Sequence, residues 1–186
     1  MNRWSSDDDR IQSVETYLNY KFVKNDLALQ AISPGFTCLD SYDSAEKLAL
    51  FGIMALKLAL ASRSYDRGDD TERINRIIST KTSDAYLMGK GFDKDLDLLM
   101  YGVSQNGRVS DEKMATTVKA LFGAVYIDSC KSIQAVTLAM DTFFGYTHSP
   151  EAGHIIDYSM RYSTDTMRNG RDTYDISWME NRLSPL

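Results

Sequence analysis

Cys38, Cys130, His148 and His154 are all the thiols and imidazoles of this chain, and their spacing excludes the chemistry they most often share. A structural zinc site groups Cys and His ligands at short, regular spacings. No Cys-x-x-Cys occurs here, and both histidines stand far along the chain from both cysteines. Two thiols, buried or half-buried in a reducing compartment, are the expectation. The histidines fall instead in a polar, tyrosine-rich tail with Tyr146, Tyr158, Tyr162, Tyr174 and Trp178. Its four arginines and six acids give it a formal charge of -2. Cations are no better grouped elsewhere, since no Lys/Arg run is visible and the whole chain carries a net charge of -5. Proteins that grip nucleic acid normally present a basic face that neutralises phosphates, so the balance argues against a nucleic-acid partner.

These side chains must be positioned by helices. The 186 residues make one domain with an extension, and 43% hydrophobic content suffices for a real core. Only Pro34, Pro150 and Pro185 could break a helix by lacking an N–H. Ser5 and Ser6, followed by Asp7, Asp8 and Asp9, read as a helix start, because acids in a first turn oppose the helix dipole favourably. Ile11, Val14, Tyr17 and Leu18 continue it at helical spacing. Asn25-Asp26 opens a second helix, which stops at Ser33-Pro34-Gly35. Ser44 can cap a helix over residues 45–62 that is apolar on almost every side, which predicts a central, buried position. Thr71 can cap the next helix, which residues 84–90 extend until Gly89-Lys90-Gly91 breaks it. A short helix over 93–101, a turn at Gln105-Asn106-Gly107, a start at Ser110 and helices over 114–127 and 133–144 complete an all-α domain spanning residues 7–145. Residues 146–186 form a C-terminal extension packing on the domain or on a partner subunit. The apolar run 48–61 is shorter than the roughly 20 residues of a membrane span, and Lys57 interrupts it. The acidic N-terminus lacks the arginines of a mitochondrial presequence, so a soluble, cytoplasmic protein is expected.

Two of these helices carry a family resemblance. Glu46-Lys47-Leu48-Ala49-Leu50-Phe51-Gly52-Ile53 resembles the signature helix of ribonuclease III, whose pattern reads Glu-Arg/Lys-Leu-Glu-Phe-Leu-Gly-Asp. Ala115-Thr116-Thr117-Val118-Lys119-Ala120-Leu121-Phe122-Gly123-Ala124-Val125-Tyr126-Ile127-Asp128 is similar to the family's late helix, which carries Asp and Glu where Thr116 and Lys119 stand here. Between them, Arg76-Ile77-Ile78-Ser79 and Ala85-Tyr86-Leu87 resemble the intervening helix. The motifs occur in family order across residues 10–145. The resemblance implies a ribonuclease III-like helical domain, forming a homodimer through the signature helix with Leu50 and Phe51 at the interface.

It also implies which chemistry is missing. The active enzymes hold magnesium with four carboxylates, and magnesium prefers a cage of oxygen ligands. The corresponding positions here are Ala49, Ile53, Thr116 and Lys119, so no metal and no cofactor is expected. Glu46 and Glu112 stand one turn from the vacated positions and read as salt-bridge partners of Lys119 or a neighbour. The double-stranded-RNA-binding module of many members, with its basic helix, has no counterpart in the residues after Gly145. Two functions remain open. One is a pseudoenzyme: a dimeric scaffold or interaction protein without metal-dependent RNA cleavage. The other is a metal-independent small-molecule-binding or tailoring enzyme, as in fungal secondary metabolism, that reuses the emptied pocket. There Ala49 and Ile53 would line an apolar cavity with Thr116 and Lys119 as catalytic groups. Burial would favour the neutral amine of Lys119, suiting it to act as base or nucleophile. His148, His154 and Tyr158 of the tail would close over the ligand.

Overall fold

Short polar side chains begin most of the helices, each accepting a backbone N–H that the first turn leaves unpaired. The computed structural model describes residues 6–34, 42–101 and 109–146, with side chains of the second segment from residue 45. Ser6 caps α1 (Asp7–Leu18) by accepting from the N–H of Asp9, and three aspartates fill the first turn. Asp70, not Thr71, caps α4 (Thr71–Lys81), with its carboxylate 2.8 Å from the N–H of Arg73. Ser83 caps α5 (Asp84–Phe92), Ser110 caps α6 (Asp111–Asp128) and Ser132 caps α7 (Ile133–Phe144). Gly145, at φ +71°, closes α7 in the left-handed conformation that glycine adopts without a steric cost.

The helix α2 (Asn25–Ala31) has no side-chain cap of its own. The carboxylate of Asp128, at the end of α6, instead anchors the residues just before α2 from across the fold. It accepts from the N–H groups of Val23 and Lys24 at 2.8 and 2.9 Å and from the hydroxyl of Tyr20 at 2.9 Å. Buried Glu15 holds the preceding residues by accepting from the N–H of Phe22 and the ammonium of Lys21. Asp128 therefore has a structural task in the Tyr-x-Asp segment of the second motif.

α3 (Tyr42–Asp66) starts earlier and runs further than its sequence suggests, so Ser44 lies inside it. Its main partner is α6, with α7, α4 and α2 packing around the pair. The approach of α3 to α6 is set by two glycines. A methyl at Gly52 would sit 1.8 Å from the carbonyl oxygen of Lys119, and one at Gly123 would sit 1.9 Å from that of Leu48. Leu56 and Leu60 of α3, Leu121 and Phe122 of α6, and Val136, Met140 and Phe143 of α7 fill the core around this seat.

Three sequence expectations are corrected here. The most deeply buried helix is α6, whose residues from Met114 to Val125 are almost all enclosed, whereas α3 keeps one apolar side open. An all-round apolar sequence reports what a helix can bury, not how many neighbours it has. The glycines at 89 and 91 do not break α5, which continues to Phe92, because Gly91 gives Met114 of α6 its room: a Cβ there would lie 2.4 Å from the Met114 sulfur. The segment 93–101 forms only a single 3-10 turn at Leu96–Leu98. Among the described residues no helix is long and apolar enough to cross a membrane.

Candidate functional site

The seat of Gly52 on α6 brings Lys119 onto the α3 surface. Lys119 leaves α6 towards the start of α5, where its ammonium lies 2.6 Å from Asp84 Oδ1. The lysine side chain is 19% exposed and the aspartate 67%. Asp84 was not among the expected partners. Glu46 and Glu112 are both exposed, and no ion pair from either is seen among the described residues. The missing signal was tertiary: Asp84 is the first residue of a helix thirty-five positions earlier, and only the packing of α5 on α6 brings it to Lys119.

Around this ion pair the other predicted positions separate. Ala49 is 7% exposed and belongs to the core, while Ile53 is half-buried and packs against it. Thr116 is half-buried one turn before Lys119. Its neighbour Thr117 is fully buried, and its hydroxyl has no hydrogen-bond partner among the described residues. The four positions that the resemblance assigns to metal-binding carboxylates thus offer two methyl-bearing side chains, one hydroxyl and one ammonium. That set does not fit a hard divalent cation, which needs several anionic or carbonyl oxygens. Among the described residues no three His, Cys, Asp or Glu side chains gather in a way that could hold a metal. His148, His154 and Tyr158, with Tyr162 and Cys38, lie outside the described residues. Cys130 is exposed, against the expectation of a buried or half-buried thiol, because it sits in the turn after α6 at φ +55°.

The open side of α3 is the second feature of the region. Leu50 is 59% exposed and Phe51 47%, and the same side carries Met54 at 57% and Leu58 at 54%, with Tyr65 beyond. Leu50 and Phe51 were expected at a surface that meets a partner. Met54 and Leu58 were not singled out, although the spacing of 50, 54 and 58 is one step of i to i+4 repeated.

A third cluster lies where α3, α5, α7 and Tyr146 meet. Arg63 pairs with buried Asp141, and its guanidinium sits 5.2 Å from the centre of the Tyr146 ring. The Tyr146 hydroxyl lies 3.5 Å from that of Tyr86, and burial, then this contact, push its pKa upward. Near α1, burial and a hydrogen bond to Asp7 raise the pKa of Tyr101 to about 12.

No family model matches this sequence, and no curated protein matches it. Solved structures do. The nuclease domain of ribonuclease III from Campylobacter jejuni, in a structure described for flexibility in the region involved in dimer formation, superimposes with a TM-score of 0.62 at 16% identity. The match covers 73% of this chain and 96% of that one. A crystal structure of the same nuclease domain gives 0.61 at 16% identity, covering 75% and 97%. With seven α-helices and no strand among its described residues, this chain has the all-α fold of the ribonuclease III nuclease domain.

Proposed function

We propose that this chain is a catalytically inactive ribonuclease III-like domain that acts as a homodimeric scaffold or interaction protein. The observation that carries the reading is the apolar side of α3. Leu50, Met54 and Leu58, flanked by Phe51, form a continuous exposed stripe on a helix otherwise seated in the core. Contiguous exposed apolar surface of this kind marks an interaction site. A helix that meets its own copy across a two-fold axis buries the same stripe twice, which suits an isologous dimer. The donor set at Ala49, Ile53, Thr116 and Lys119 supports the loss of metal chemistry, since none of the four is a carboxylate.

The test has two arms. Sedimentation equilibrium of the full chain gives a dimer, and Met54→Glu or Leu58→Glu, both exposed in the protomer, shifts it to monomer while the helical circular dichroism is retained. A monomeric parent, or an unchanged dimer in both variants, refutes the scaffold reading. Incubation with duplex RNA and magnesium yields no cleavage; cleavage that Lys119→Met or Thr116→Ala abolishes would overturn the inactive assignment. The small-molecule enzyme draws no specific support from the site, where the Lys119 ammonium is committed to Asp84.

A further inference from the structure

The chain is acidic as a whole, yet four of its cations converge on one cleft. Arg63 comes from the last turn of α3, Arg67 from the turn just after it, and Arg73 and Lys81 from the two ends of α4. Together they face a cleft of about 350 Å³. That volume lies at the lower end of small-molecule sites. The positions 63, 67, 73 and 81 form no run in sequence, so the patch exists only once α4 folds back along α3.

The described lining of this cleft holds these four cations and no carboxylate. Asp141 takes Arg63, and Asp69 takes both Arg67 and Arg73, at 3.0 Å each. Lys81 has no carboxylate within ion-pair distance among the described residues. Its ammonium rests instead on the Tyr86 hydroxyl at 3.2 Å and over the rings of Tyr86 and Tyr146, at 4.3 and 5.7 Å from their centres. Aromatic faces attract a cation without neutralising it. Of the other acids nearby, Asp70 holds the start of α4, Glu72 pairs with Arg76, and Asp66 lines a neighbouring cleft beside Arg63 and Arg67.

The rest of the lining adds donors and an apolar wall. The Tyr146 hydroxyl and the buried Ser64 can reach a bound oxygen, and Tyr146 keeps its proton because burial and Tyr86 oppose ionisation. Leu60 and Ile77 supply the apolar side. Arginine forks match phosphate oxygens in pairs, and a phosphate monoester carries close to two negative charges near pH 7.

We propose that the cleft between α3, α4 and Tyr146 is a binding site for a small phosphate monoester, its dianionic head on Lys81, Arg73 and Arg67 and its apolar body against Leu60, Ile77 and the Tyr146 ring. The site is remote in kind from the Lys119–Asp84 pair and does not rest on the scaffold reading.

Phenyl phosphate is the probe, titrated into the full chain by calorimetry at low ionic strength, with inorganic phosphate in parallel. One saturable site per chain is expected, tighter for phenyl phosphate than for inorganic phosphate because only the former meets the apolar wall. Lys81→Met and Arg73→Gln, which alter side chains outside the core, each weaken binding about tenfold or more, the equivalent of one charge-assisted hydrogen bond. Arg76→Gln, on the same helix but outside the cleft, leaves it unchanged. Thermal melts of each variant establish that the fold persists. Absence of saturable binding, equal losses in all three variants, or undiminished binding in both cleft variants overturns the proposal. Displacement of bound phenyl phosphate by micromolar duplex RNA would also overturn it, assigning the cleft to a nucleic-acid backbone.

Discussion

Gly123→Ala should destabilise the domain, and Gly89→Ala should stabilise it, although both exchange glycine for the best helix former inside a helix. The structure supplies the difference in sign. The new methyl at 123 would stand 1.9 Å from the Leu48 carbonyl oxygen and 2.6 Å from its carbon, both backbone atoms of α3 that cannot rotate away. Relief to an ordinary contact of 3.4 Å requires α3 and α6 to part by about 1.5 Å along that line. Gaps of about 0.5–1 Å already forfeit a quarter to a half of a dispersion contact, and the parting would be shared by every side chain between the two helices. Overpacking of this sort costs about 1–3 kcal/mol and occasionally more, and a backbone clash in the most extensive helix pair of the fold belongs at the upper end. The better helix propensity of alanine returns about 1 kcal/mol, leaving a net loss of about 2–3 kcal/mol. For a chain of this size that lowers Tm by roughly 4–12 °C. At Gly89 nothing lies within 4 Å of the added methyl, so the propensity gain of about 1 kcal/mol stands alone. Urea denaturation of the parent and both variants, followed by far-ultraviolet circular dichroism, measures the difference. Equal effects of the two substitutions, of either sign, would refute the account of α3 resting on α6 through its glycines.

Thr117→Val replaces a fully buried, unpartnered hydroxyl by a methyl of the same shape, and should raise stability by up to about 1 kcal/mol in the same denaturation assay. Asp128→Ala strands the N–H groups of Val23 and Lys24 and the Tyr20 hydroxyl, and should cost about 2–4 kcal/mol and speed hydrogen exchange at the start of α2. The raised pKa of Tyr101 has a defined sign: the fold holds the phenol proton that the unfolded chain loses near pH 10. Its contribution to stability is therefore full below about pH 10 and is lost as pH rises towards about 12. Ultraviolet titration of tyrosinate should show two late-ionising tyrosines, Tyr101 and Tyr146, of which Tyr101→Phe removes one.

What the sequence disclosed and what it concealed follow from the range of the forces involved. Caps and termini are local, so Ser6, Ser110 and the full extent of α7 were readable from neighbouring residues. Gly52 and Gly123 were visible through the resemblance, and their reason became visible only when each was found against the other's backbone. Pairings between distant helices left no local trace. Lys119 could have met Glu46, Glu112 or any acid whose helix passed nearby, and the register of α5 on α6 selected Asp84. No Lys/Arg run points to a basic patch, yet Arg63, Arg67, Arg73 and Lys81 line one cleft between α3 and α4. Glycines in α5 were read as breakers because their local entropy cost is known, while the space that Gly91 makes for Met114 is not a local property.

The sides of α3 are divided among separate tasks. At about 100° per residue, taking the direction of Gly52 towards α6 as zero, Leu48 and Leu56 fall within about 40° of it. Ala49 and Ile53 lie on one flank, at about 60° and 100°, and Leu50, Met54, Leu58 and Tyr65 lie within about 60° of the opposite direction. Three jobs therefore occupy three sectors of one helix: the seat on α6, the flank beside Lys119, and the outward stripe. A substitution on the flank changes neither the glycine contact nor the stripe. Carboxylates at 49 and 53 would stand beside a core whose Ala49 position is already enclosed, and without a cation they would repel one another and carry an unrecovered desolvation cost. Without a cation, methyl groups on that flank are the more stable choice for the same fold. The outward stripe has no such excuse, since Leu50, Met54 and Leu58 gain nothing from water. Its persistence on the side that the fold leaves open is the physical argument for a partner there, and a second copy of α3 presents the matching stripe.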